Sequence, residues 1–147
     1  MTDDIDIAIV GTLTNDDLRR MDELLSQLSS TATFDSDRVL ALLDAPGTVL
    51  FVARDAGYMV GMATLVIFPL VTGWRGIVED VVVDHQVRGR GIARLLLEAV
   101  TEEATRRHLR TLDLTSRPSR ESALRLYESV GFERRETNVL RYMPTPE

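Results

Sequence analysis

Apolar and polar positions alternate over Ile5-Asp6-Ile7-Ala8-Ile9, the period of an edge or half-buried strand. From Leu18 the spacing changes. Leu18, Met21, Leu24, Leu25 and Leu28 recur at helical intervals behind Thr14 to Asp17, which resembles a capping box. A second short helix is predicted from Ser36 or Asp37 through Val39, Leu40, Leu42 and Leu43, stopped by Pro46-Gly47. Residues 48–54 and 58–68 read as the two strands of a hairpin around Asp55-Ala56-Gly57, with Gly61 a bulge or close-packing point. Residues 69–76 read as a loop and 77–83 as a central strand. A helix over about 91–107, a strand at 111–115 and a helix from Ser119 or Arg120 to Val130, stopped by Gly131, follow. The tail carries two strand-like pieces, 132–135 and 139–143, with a bend near Asn138. The expected fold is α/β: a mixed, mostly antiparallel central sheet with helices on both faces, in one domain over 1–147.

Composition narrows the function. The 147 residues are 44% hydrophobic, ordinary for a soluble domain with a sizeable core. Net charge is -6, from 23 acidic and 17 basic residues, which argues against a nucleic-acid binder and suits a cationic, amine-bearing partner. Every basic residue other than the two histidines is arginine, whose planar fork fits phosphate. The absence of cysteine removes disulfides, thiolate ligands and a cysteine nucleophile. His85 and His108 have no spaced partner for a metal, so none is expected. Without a basic-then-apolar start or a membrane-length apolar run, the expected setting is cytoplasmic, with no membrane partner.

The richest segment is Gln86-Val87-Arg88-Gly89-Arg90-Gly91-Ile92-Ala93, which joins the central strand to the helix after it. Two glycines let several backbone N–H groups converge on one anion, and the unpaired first-turn N–H groups of the helix add favourable field. A nucleotide P-loop would need Lys and Ser or Thr where Ile92 and Ala93 stand, and a dinucleotide fingerprint would need glycine where Arg94 stands. A bare structural turn is the remaining alternative to a phosphorylated cofactor.

The turn does not stand alone. It matches the Gln or Arg, x, x, Gly, x, Gly or Ala motif, and Ala123-Leu124-Arg125-Leu126-Tyr127-Glu128-Ser129-Val130-Gly131-Phe132 matches an A-x-x-L-Y-x-x-x-G-F segment. With this pair, and element order agreeing over about 5–143, the chain resembles the GNAT superfamily of N-acetyltransferases. Glu79-Asp80 before three valines, with the ending Glu136-Thr137-Asn138-Val139-Leu140-Arg141-Tyr142, is similar to small-amine members such as the glucosamine-6-phosphate enzymes. Arg120 departs from the pattern, since many members have Asn seven residues before the tyrosine; a phosphate contact from Arg120 would replace what that Asn supplies.

The resemblance implies acetyl-coenzyme A, with its pyrophosphate over the amides of residues 87–93 and its pantetheine arm beside the splayed strand 77–83, including Val81 and Val83. Arg88 and Arg90 are candidate phosphate contacts beside Gln86 and the backbone. The family motif puts Tyr127 at the cofactor sulfur, where a phenol can return a proton to the departing thiolate. In a regular strand Glu79 shares its face with Val81 and Val83 and is the candidate base or water-holder, while Asp80 projects the other way unless a bulge intervenes. Phe68, Trp74 and Arg75 flank or occupy the loop before this strand and are candidate substrate-wall residues. The expected reaction is direct attack by a primary amine in a ternary complex, on a small-molecule acceptor. A protein or peptide amine acceptor and an acyl-coenzyme A binding module without turnover are the alternatives. The final strand also offers an edge through which two copies can pair.

Overall fold

A computed structural model describes residues 4–145. Its sheet has the order β1-β2-β3-β4-β5: β1 (Ile5–Val10), β2 (Thr48–Asp55), β3 (Tyr58–Leu70), β4 (Gly73–Val83) and β5 (Thr111–Asp113). The first four strands pair antiparallel in chain order, and β5 joins β4 in parallel after a helical crossover. The helices are α1 (Asn15–Leu28), α2 (Ser36–Asp44), α3 (Ile92–Arg106) and α4 (Glu121–Val130). Among the described residues this is the mixed, mostly antiparallel α/β architecture expected.

Each face of the sheet carries its own core. On one, Met21 and Leu24 of α1, with Val39, Leu42 and Leu43 of α2, pack on Leu50, Val52, Met59, Met62 and Val82. On the other, Ile92, Leu96, Leu97 and Val100 of α3 cover Phe51, Ala53, Ala63, Leu65 and Val78, with Leu126, Tyr127 and Val130 of α4 at the margin. Alternate residues of one strand supply opposite cores, as a period of two requires. Thr14 caps α1 reciprocally with Asp17, and Asp35 caps α2. Both readings of Gly61 hold. The β2–β3 register slips beside it, and a Cβ there would lie 3.0 Å from the Val82 carbonyl oxygen and 3.2 Å from Leu96.

Three expectations are corrected. Residues 69–76 are not a loop: β3 runs to Leu70 and β4 starts at Gly73, leaving Val71-Thr72 as a two-residue turn. Pro69 falls inside β3, but β2 pairs with β3 only as far as Val66, so the proline lies where β3 has a single neighbour and its missing N–H is tolerated. Nor are 132–135 and 139–143 strands. They follow an irregular path, and Val139, Leu140, Tyr142 and Met143 are exposed. Apolar pattern alone does not make a strand; a backbone ladder partner is needed. β5 also stops at Asp113, short of the expected 115.

Three carboxyls are held below their usual range by their partners. Asp17 is lowered chiefly by the Arg54 hydrogen bond, Asp84 by the Gln86 backbone N–H, and Glu103 by Arg106, with Arg107 adding to it. Because each folded pKa lies below its unfolded value, the stabilisation is complete above the unfolded pKa and is lost as pH falls through the folded one. Urea unfolding should therefore give constant stability from neutrality to about pH 5 and a decline below about pH 4. Glu103→Gln should reduce the steepness of that decline; an unchanged slope would remove Glu103 from it.

Candidate active site

β4 is paired with β3 along its whole length, but with β5 only from Arg75 to Ile77. Beyond Ile77 the strands part. Among the described residues no strand borders that side of Val78 to Val83, so the backbone edge there can pair with an extended amide-bearing chain. Within this stretch Met62 faces Val82 and Thr64 faces Glu79, so Ala63 stands opposite both Asp80 and Val81. This is a β-bulge, and Asp80 takes φ +53° at its centre, a conformation that a short polar side chain tolerates better than the surrounding valines would.

The bulge corrects the expected facing. Val78, Val81 and Val83 belong to the α3 side and Val82 to the α1 side, so strand parity inverts across Asp80. Glu79, paired with Thr64 and adjacent to Val78, therefore shares the α1–α2 face with Val82, not with Val81 and Val83. Glu79 and Asp80 are both exposed.

The open edge of β4 leads into the glycine turn. Asp84 accepts the Gln86 N–H at 3.1 Å, and its carbonyl accepts the Val87 N–H at 3.1 Å, making residues His85–Val87 one 3-10 turn. The Val87 amide is thus already engaged, and the anion-binding reading centres on Arg88 onward. Gly89 has φ +86° and Gly91 φ +77°; Gly91 is the N-cap of α3 and supplies no side chain to its first-turn N–H groups. A left-handed pair of glycines before an uncapped helix is a donor set that fits a diphosphate. Ile92 is buried and Ala93 half-buried against the α3-side core, anchoring the helix start. Arg88 is exposed, whereas Arg90 is ion-paired with Asp55 at 2.8 Å.

Arg94 replaces the third glycine of a dinucleotide fingerprint, and the structure shows what it does. Its guanidinium donates to Ser129 Oγ at 2.7 Å and to the Ser129 carbonyl at 3.4 Å, tying the first turn of α3 to the last turn of α4. This contact brings the two sequence motifs to the same end of the molecule. Tyr127, two residues from Ser129, is partly buried beside the α3-side core, its ring edge-on to Phe132 with centroids 6.4 Å apart. Glu79 and Tyr127 therefore come from opposite faces of the sheet, and the opened edge of β4 belongs to the strand between them.

Of the other candidates, the hairpin residues lie toward the paired end of β4, before the strands part. Arg120 is the exposed N-cap of α4. Phe68 and Arg75 are cross-strand partners in the projecting part of the β3–β4 hairpin, and Arg75 is ion-paired with Asp113 of β5. Trp74 is 53% exposed next to them. A recess lined by Ile7, Ile9, Glu102 and Arg106 lies at the opposite edge of the sheet, beside β1, and holds none of the motif residues. Sequence reasoning missed Asp84, for which the chain carries no local signal, and Arg20 and Gln27, polar residues seven apart that flank the apolar stripe of α1.

Comparison with known proteins bears on this geometry. A model of the acetyltransferase (GNAT) family matches residues 13–132. Glucosamine 6-phosphate N-acetyltransferase of Trypanosoma brucei brucei is 31% identical over 147 residues, covering 95% of this chain and 97% of that protein. The N-alpha-acetyltransferase RimI of Mycobacterium tuberculosis is 31% identical over 140 residues, covering 91% and 84%. Among solved structures, an acetyltransferase from Trypanosoma brucei aligns with a TM-score of 0.78 and 28% identity, covering 95% of this chain and all of that one (100%). Since the family match includes both motifs and the parted strands β4 and β5, the chain belongs to the GNAT family and is an acetyl-coenzyme A-dependent N-acetyltransferase.

Proposed function

We propose that this enzyme acetylates the primary amine of a small cationic molecule by direct attack within a ternary complex. The observation that carries the reading is the parting of β4 from β5 at Ile77, followed by the Asp80 bulge and then the glycine turn. One continuous path results. Acetyl-coenzyme A supplies the activated acetyl thioester; the edge of residues 78–83 would pair with its pantetheine amides, and the amides from Arg88 into α3 would hold its diphosphate.

Glu79 takes a proton from the protonated amine, directly or through water, on the α1–α2 face. The amine nitrogen then attacks the thioester carbonyl, whose developing oxyanion is met by backbone N–H groups near the bulge. As the carbon–sulfur bond breaks, Tyr127 gives its phenolic proton to the thiolate from the other face. Exposed Asp80, adjacent to Glu79, favours a cationic acceptor, and Phe68, Trp74 and Arg75 wall the approach. Near end-to-end similarity to a glucosamine 6-phosphate enzyme supports a compact acceptor. A peptide N-terminus is the second reading, favoured by the equal identity to RimI.

Thiol release from acetyl-coenzyme A over a panel of amino sugars, polyamines, aminoglycosides, amino acids and short peptides decides between them. Turnover confined to peptides would replace the first reading with the second, and tight cofactor binding with no turnover on any acceptor would overturn both. For the cofactor path, Gly89→Ala and Gly91→Ala should each weaken acetyl-coenzyme A by about tenfold or more, because a Cβ at positive φ costs on the order of 1–2 kcal/mol or forces the amides to turn away. A Cβ at either position would meet no protein atom within 4 Å, so the fold should survive, as circular dichroism would check. Unchanged affinity by calorimetry in both folded variants would remove the turn from the cofactor site.

A further inference from the structure

We propose that Arg20, Gln27 and Asp84 are positioning residues that hold the start of the glycine turn in its binding shape before the cofactor arrives. The inference rests on the reading that this turn takes the diphosphate.

Asp84 is 5% exposed and is the last residue before the turn. Its carboxylate takes three donors at once, two from α1 and one from the turn. Oδ2 accepts from Arg20 Nη2 of α1, while Oδ1 accepts the Gln86 N–H at 3.1 Å and Gln27 Nε2 at 3.3 Å. Gln27 completes the link by accepting the His85 N–H through Oε1 at 2.9 Å. The first two amides of the turn are therefore both fixed by side chains, and both ties lead to α1.

Arg20 is itself immobilised. It is 7% exposed, donates through Nε to the Met59 carbonyl at 2.7 Å, pairs with Glu23 at 2.9 Å, and has its guanidinium carbon 4.5 Å from the Tyr58 ring centroid. A buried arginine with every direction occupied is a rigid post. Neither Arg20 nor Gln27 is part of the turn, so their effect on a ligand passes through Asp84 and the His85–Val87 backbone. A turn already held in shape loses less conformational freedom when an anion binds, and that difference appears as affinity. α1 covers the face on which Glu79 stands, so the same helix braces the cofactor turn and borders the acceptor side.

The test compares acetyl-coenzyme A with S-acetylpantetheine, which carries the same thioester and arm but no diphosphate. Gln27→Ala changes a half-buried side chain and should leave the melting temperature nearly unaltered, while acetyl-coenzyme A affinity by calorimetry falls about fivefold, the scale of two lost hydrogen bonds. Asp84→Asn should weaken it more than about tenfold, since a charge-assisted contact is lost as well. S-Acetylpantetheine affinity, read by ligand-observed NMR, should stay within about twofold of wild type in both variants. Equal weakening of both ligands would make the cluster a general fold support and overturn the proposal, as would unchanged acetyl-coenzyme A affinity in folded Gln27→Ala. Should Asp84→Asn fail to fold, Gln27→Ala alone decides. If Gly89→Ala and Gly91→Ala leave acetyl-coenzyme A affinity intact, the diphosphate reading itself fails; if they weaken it and Gln27→Ala does not, only the positioning role fails.

Discussion

Tyr127→Phe is expected to lower turnover by about 10- to 1000-fold if proton return to the thiolate limits the rate, with acetyl-coenzyme A affinity unchanged. The substitution removes one oxygen and keeps the ring, so the edge-on contact with Phe132 and the packing beside the α3-side core persist. Loss of packing would show as a lower melting temperature; loss of a proton donor would not. The effect should also shrink with a thioester whose thiol is more acidic, because such a thiolate leaves without needing a proton. Unchanged turnover across the pH range with a saturating acceptor would take Tyr127 out of the acid role and leave it as a core residue of α4.

Glu79→Gln should produce the second-largest loss, about 10- to 100-fold at neutral pH, and its size should depend on pH. A primary amine with a pKa near 10 is almost wholly protonated at pH 7, so something must take its proton before it can attack. As pH rises, the solvent increasingly does this work. The deficit should therefore be greatest at low pH and recover partly above about pH 9. Glu79 is exposed, paired with Thr64 at the edge of the bulge, so the isosteric change should leave the sheet intact. Turnover measured against pH for wild type and variant separates the possibilities: a deficit constant with pH would move Glu79 from proton transfer to binding or positioning.

Much of this site was legible in the residues because its determinants are local. Gly89 and Gly91 mark a positive-φ turn whichever fold surrounds them, and both adopt it. Thr14 and Asp17 form their capping box from neighbours three apart, and helix 92–106 follows its apolar spacing to within a residue of the expected bounds. The strand periods likewise announced the antiparallel sheet through β4. Where neighbours in space matter more than neighbours in sequence, the reading failed. The tail has the pattern of strands but no ladder partner, and the expected loop at 69–76 is instead the end of one hairpin strand and the start of the next.

Motif spacing, helix caps and turn glycines act over a few residues of chain, so the family and the order of elements through α4 can be read from the residues alone. Where those residues face depends on packing. The bulge at Asp80 inverts strand parity and moves Glu79 to the α1–α2 side, an offset of one residue that arises from the β3–β4 register. Arg94 joins α3 to α4, and Asp84 is clamped by Arg20 and Gln27 from 64 and 57 positions away. Contacts at such separations have no periodic signature in one chain; they exist because the sheet brings distant segments together and because a buried charge must find its partner.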